Sequence, residues 1–270
     1  MVEATVTEAP AIMGILNVTE DSFADGGAFL ETESAIAHGL ELFAAGCTVV
    51  DVGGESSRPG ASVVDASIEE ARVVPVIAAL SPHGVVSVDT TKASVARAAV
   101  AAGARIVNDV SGTLAELAGE LGVGYVAMHR RGDPTTMSQL TDYDDLVTEV
   151  LDEVLSIAER ARAAGADPIW IDPGIGFAKD ADQNRSLLKA VPRFARAARA
   201  QGFGLLVGLS KKRFLANGPS GQHYEVDERA EQSLAAATWV LANGATMVRA
   251  HDGLDHVRAA GLVGQTGADR

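Results

Sequence analysis

The sequence predicts an α/β protein of the (β/α)8 barrel class. Short β-branched runs alternate with Ala-rich amphipathic stretches. The runs are continuously apolar, as strands buried on both faces are. The unit recurs about eight times with no break in composition, which favours a closed barrel over a doubly wound sheet.

The first strand falls at 12–16 and leads to a helix at 34–45 that stops before Gly46. A strand at 48–50 precedes a helix at 68–80, where Pro75 predicts a kink. A strand at 85–88 precedes a helix at 93–102, closed by Gly103. Strands at 105–107 and 125–128 follow, then a helix at 146–164 closed by Gly165. A strand at 169–171 leads to a stretch closed by Gly202. Strands at 205–207 and 246–248 flank a helix at 232–243 that ends at Gly244. Glycine suits these ends because it adopts the left-handed backbone that terminates a helix. The reading is one domain over 1–270, with flexible ends at 1–10 and 265–270.

The chain has 270 residues, 47% of them hydrophobic and 21% charged, which excludes a disordered or collagen-like polymer. Its net charge is −14, from 22 Lys+Arg against 36 Asp+Glu, which argues against a nucleic-acid surface. A few cations can still gather in one cleft. Cys47 is the single cysteine, so no internal disulfide forms and a reducing, cytoplasmic setting fits. The first ten residues lack a basic, apolar leader, and no apolar run is long enough to predict a membrane span.

In such barrels chemistry sits where the strands end. The eight runs end at Asn17, Asp51, Asp89, Asn108-Asp109, Met128-His129, Asp172, Ser210-Lys211-Lys212 and Arg249-Ala250-His251. Each of these, taken alone, also suits a turn or a helix cap. Lys, Arg and His are not preferred caps, so the set reads as a functional mouth. Asp89, Asn108 and Asp172 offer acceptors and a carboxamide to a flat heterocycle bearing N–H donors, with Lys212 for its carbonyl. Arg58, Arg249 and His251 suit a diphosphate. Asn17 and the acidic first loop (Asp21, Asp25) suit Mg²⁺ bridging those phosphates. Phe23, between glycine-punctuated turns, is placed to cover a bound substrate.

Other motifs fail. His129 and His251 lack zinc-pair spacing, and Gly174-Ile175-Gly176 lacks the rest of a dinucleotide fingerprint. No Gly-x-Ser-x-Gly elbow occurs. Cys47, Trp170 and Trp239 read as core.

Seven blocks carry a family resemblance in order and spacing. They are Ile15-Leu16-Asn17-Val18-Thr19, the run from Asp51 to Gly60, Val88-Asp89-Thr90, the run from Asn108 to Gly112, the run from Asp172 to Phe177, the run from Ser210 to Phe214, and Arg249-Ala250-His251-Asp252. Together, over about 13–256, they resemble the dihydropteroate synthase family. The resemblance implies condensation of 4-aminobenzoate with 6-hydroxymethyl-7,8-dihydropterin diphosphate, giving dihydropteroate and pyrophosphate for folate synthesis. It implies that Asp89, Asn108, Asp172 and Lys212 hold the pterin beside Met128, and that Asn17 binds Mg²⁺ with Asp25 approaching. Ser57, Arg58, Arg249 and His251 would hold the diphosphate, and Pro59, Phe177 and Ser210 would line the aminobenzoate site. Catalytic work would fall to Asn17, Asp25, Arg58, Lys212, Arg249 and His251. A homodimer and a sulfonamide target are also implied. Glu20, Lys211, Ala250 and Gly253 depart from the family pattern. The alternatives are a methyltetrahydrofolate-dependent methyltransferase of the same superfamily and a non-catalytic pterin-binding paralogue.

Overall fold

The structure is a computed structural model. It describes residues 10–19, 28–57, 60–217 and 222–267, with 28–31, 227 and 265–267 as backbone only. Eight parallel strands close in sequence order, and β1 pairs with both β2 and β8. The strands are β1 (Ala11–Asn17), β2 (Val49–Gly53), β3 (Val85–Asp89), β4 (Ile106–Asp109), β5 (Gly124–Met128), β6 (Ile169–Asp172), β7 (Gly204–Gly208) and β8 (Met247–Ala250). Each predicted run is a strand, displaced by at most three residues at an end. The barrel expected from the alternation is the barrel observed.

Around it lie α1 (Ala28–Ala44), α2 (Ala66–Leu80), α3 (Ala93–Ala101), α4 (Ala115–Glu120), α5 (Leu146–Ala164), α6 (Ala181–Lys189), α7 (Val191–Ala200), α8 (Ala230–Ala242) and α9 (Gly253–Gly267). In α5, Asp145 caps the start by accepting from the Thr148 N–H, and Gly165 ends it at φ 109°. Its inner face, Val150, Leu151, Val154, Ala158 and Ala161, is buried at helical spacing. Each of the larger side chains contributes about 1.5–3 kcal/mol by leaving water. Helix α2 continues through Pro75. Among the described residues no helix is long and apolar enough to cross a membrane.

Strand alternation sorts the side chains into two cores. Residues such as Val50, Val52, Val86, Val88, Val107 and Tyr125 point outward to the helices. The inward set of Ala11, Met13, Val49, Val85, Ile106, Val126, Trp170, Leu206 and Met247 forms a separate apolar plug in the lower barrel. Trp170 and Cys47 are core, as expected. Trp239 is not: it is 40% exposed on α8. The buried face of α8 is Ser233, Ala237, Val240 and Leu241. Trp239 stands two residues past Ala237, on the opposite side of the helix.

Candidate active site

The same alternation that builds the plug builds the mouth. Two residues above Val49, Val85, Ile106, Val126, Trp170 and Met247 come Asp51, Ser87, Asn108, Met128, Asp172 and Arg249. Asp89 and Asn17 lie on the same inward rows, at the ends of β3 and β1. Strand pairing then aligns Gly53 with Asp89, Asp89 with Asn108, and Met128 with Asp172.

Asp51 is the hub of one half. It is fully buried, and its Oδ2 accepts from Asn108 Nδ2 at 2.8 Å and from Arg249 Nε at 2.6 Å. Arg249 Nη2 also donates to Asp89 Oδ2 at 2.8 Å. Asp89 and Asn108, two of the residues expected to hold a heterocycle, therefore share one network with Arg249, expected among the diphosphate cations. Burial raises the Asp89 pKa to about 7; Arg249 opposes this, while Asp51, Glu69 and Asp109 reinforce it. Burial works against the Arg249 charge, but Asp51 and Asp89 hold its pKa above the ordinary value. Asp51 ends a predicted strand, yet nothing local marked it as the residue that orients Asn108 and Arg249. Its Oδ1 is buried without a hydrogen-bond partner among the described residues.

Asp109, next along β4, is structural. It faces outward and accepts from Tyr125 Oη, the Leu114 N–H and Ser111.

The other half is the loop after β6. Asp172 Oδ1 accepts from the Gly174 N–H at 2.7 Å. Burial lifts the Asp172 pKa, against that bond and against Lys212, Lys179 and Arg249. Gly174 has φ 65°, and a Cβ there would collide with the His129 carbonyl oxygen, so only glycine fits. Lys212 Nζ donates to the Ile175 carbonyl at 2.6 Å and lies 4.3 Å from the centre of the Phe177 ring. The loop after β7 thus touches the loop after β6, placing Lys212 and Phe177 together. Ser210 Oγ lies 2.9 Å from His251 Nδ1, joining the loops after β7 and β8.

Ser57 borders a cavity of about 140 Å³ that it shares with Asp89, Thr90, Val110, Arg130 and Pro134. The base of the second loop is tied down. Glu55 accepts from the Val64 N–H and from Lys92, which also pairs with buried Glu69. Farther along, the Gly60 N–H donates to the Pro134 carbonyl of the fifth loop. Asp25, Arg58 and Pro59 lie outside the described residues, as do Glu20, Asp21 and Phe23.

A single neutral carboxamide at Asn17 fits Mg²⁺. It faces inward at the rim, and its side chain makes no hydrogen bond to the described residues. Mg²⁺ commonly takes one or two protein oxygens and completes its shell with water and phosphate. Among the described residues no cluster of three or more His, Cys, Asp or Glu would cage an ion without substrate.

An inward ring of buried acids and a carboxamide, with cations on adjoining loops, defines a class of enzyme that grips a flat, donor-rich ring. Residues 13–251 match the model of the pterin binding enzymes, and the chain belongs to that family. Curated relatives include dihydropteroate synthases. That of Mycobacterium leprae (strain TN) is 43% identical over 265 residues, covering 94% of this chain and 92% of the relative. That of Escherichia coli (strain K12) is 39% identical over 272 residues, covering 95% and 92%. Among solved structures, dihydropteroate synthase of Xanthomonas albilineans with 4-aminobenzoic acid superposes with a TM-score of 0.86 at 38% identity, covering 97% of this chain and 94% of that one. The Yersinia pestis dihydropteroate synthase in complex with a sulfonamide drug gives 0.88 at 34% identity, covering 99% and 97%.

Proposed function

We propose that this chain is a dihydropteroate synthase, joining 4-aminobenzoate to the methylene carbon of 6-hydroxymethyl-7,8-dihydropterin diphosphate. The observation that carries this reading is the shared network of Asp51, Asp89, Asn108 and Arg249, set beside the Lys212–Phe177 contact. The first suits a pterin ring and the second an arylamine carboxylate next to it. The related enzyme of Xanthomonas albilineans has been solved both with 4-aminobenzoic acid and with 7,8-dihydropteroate.

Asp172, Asp89 and Asn108 pair with the ring's donors and acceptors, Lys212 donates to its carbonyl, and Met128 packs beside it. This fixes the methylene carbon at the mouth. Ser57, Arg58, Arg249 and His251 take the diphosphate, so negative charge developing on the leaving group meets fixed donors. Mg²⁺, when bound, withdraws further charge from that group. The carbon–oxygen bond breaks and its electron pair leaves with pyrophosphate. The arylamine lone pair forms the carbon–nitrogen bond, and the amine proton is released. Pro59, Phe177 and Ser210 hold the ring of the arylamine. Asn17 would hold Mg²⁺, with Asp25 as a further ligand that the family resemblance implies. Exclusion of water from the cationic carbon would favour the amine as nucleophile over hydrolysis.

We read the protein as a cytoplasmic homodimer. Its single cysteine is a free, buried thiol, and Trp239, Leu254 and Leu262 on α8 and α9 expose apolar area that a second copy would cover. Sedimentation tests the dimer.

The deciding experiment mixes protein, pterin diphosphate, 4-aminobenzoate and Mg²⁺ and measures dihydropteroate and pyrophosphate in equal amounts. Pterin binding without turnover would instead identify a non-catalytic paralogue.

A further inference from the structure

The end of β6 and the loop after it carry residues of both proposed substrate sites within six positions, Asp172 for the pterin and Phe177 for the aminobenzoate. A buried lysine lies behind it. Lys179 is 8% exposed, and its Nζ donates to the Gly174 carbonyl at 3.0 Å and to the Phe177 carbonyl at 2.8 Å. The same Nζ lies 2.9 Å from His129 Nδ1. Burial, with Lys179 and Arg131 nearby, pushes the His129 pKa down to about 3, so that imidazole is neutral and its nitrogen can accept. The three N–H bonds of the Lys179 ammonium meet three acceptors, which offsets part of the cost of burying the charge; burial still lowers the Lys179 pKa to about 7, with Asp172 opposing the shift.

The acceptors come from both ends of the turn and from the neighbouring strand end. Gly174 follows the Asp172 carboxylate and donates to it. The Phe177 carbonyl belongs to the residue whose ring lies against Lys212. His129 follows β5, and its N–H donates to the Asp172 carbonyl. Asn184 braces the middle of the turn by accepting from the Gly176 N–H at 2.6 Å. The Lys179 side chain thus ties together Gly174 and Phe177.

We propose that Lys179 is a positioning residue for the condensation. By clamping Gly174, Phe177 and His129, it sets the Phe177 ring at the aminobenzoate site, while Asp172 remains held by its own bond to Gly174. This deepens the synthase reading and rests on it. Neutralising the clamp should therefore weaken the aminobenzoate site and spare the pterin site.

The test compares Lys179→Met, Lys179→Gln and wild type. Steady-state KM for aminobenzoate and kcat are measured in one arm, and calorimetric affinity for the pterin diphosphate with Mg²⁺ in the other. The methionine variant should raise the aminobenzoate KM by about tenfold or more while pterin affinity stays within about twofold. The glutamine variant keeps two N–H donors and should fall between methionine and wild type. A methionine variant that loses only active fraction, with both substrate constants unchanged, would overturn the proposal. If the methionine variant does not fold, the glutamine variant decides by the same split, and an unchanged aminobenzoate KM there also overturns it. An inactive wild type would instead defeat the synthase reading.

Discussion

Arg249 Nη2 donates to Asp89 Oδ2 at 2.8 Å, linking the eighth strand to the third across the barrel mouth. The same guanidinium engages Asp51 at 2.6 Å. Removing it leaves two buried carboxylates without their cation. Arg249→Met should cost about 3 kcal/mol of stability, since breaking a buried pair strands its partners. Urea denaturation monitored by circular dichroism measures this, and a loss below about 1 kcal/mol would show that the pair is not structural.

Burial holds the Asp89 pKa up at about 7, above its unfolded value, with Arg249 opposing the shift. The stability this gives is present below the unfolded pKa and is lost as pH rises through about 7. Substrate binding runs the other way, because a ring N–H needs a free acceptor. The KM for pterin diphosphate should rise as pH falls from roughly 8 to 6. Initial rates across that window check it, and a flat KM contradicts the assignment of Asp89.

Asp172→Asn should weaken pterin binding by about 2 kcal/mol or more, through loss of a charged acceptor. Because burial already disfavours the Asp172 charge, the fold should hold or gain stability. Calorimetry with the pterin alcohol and a thermal melt separate the two effects.

Chelating Mg²⁺ should abolish turnover, and adding it back should restore turnover. Asn17→Ala should raise the Mg²⁺ concentration needed for half-maximal rate. Turnover unaffected by chelator would remove the role given to Asn17.

Burial raises the Cys47 thiol pKa to about 11. At about pH 8 the native protein should resist alkylation, because the thiolate is the reactive form. Mass spectrometry should find label only after denaturation.

The barrel was legible because each strand is a continuous apolar run and its terminal polar residue stands out. Asp89, Asn108 and Asp172 could be found that way. The partner of Arg249 could not, because Asp51 lies 198 residues earlier and meets it only when β8 closes onto β1. Lys179 was hidden for a different reason. It stands just before Asp180, the cap of α6, where a solvent-facing lysine would read the same. Trp239 misled because its neighbours are apolar on both faces of α8, so the pattern did not show which face is buried.

The apolar plug beneath Asp51, Asn108 and Asp172 makes the barrel a well with one opening. The carboxylates stand down inside it, whereas Phe177 and Ser210 belong to the loops above. A single opening would serve both the deep pocket and the loops at its lip. On the synthase reading, a bicycle bound below would have to enter before the arylamine closes the way to it, and the joined product would leave by the same opening.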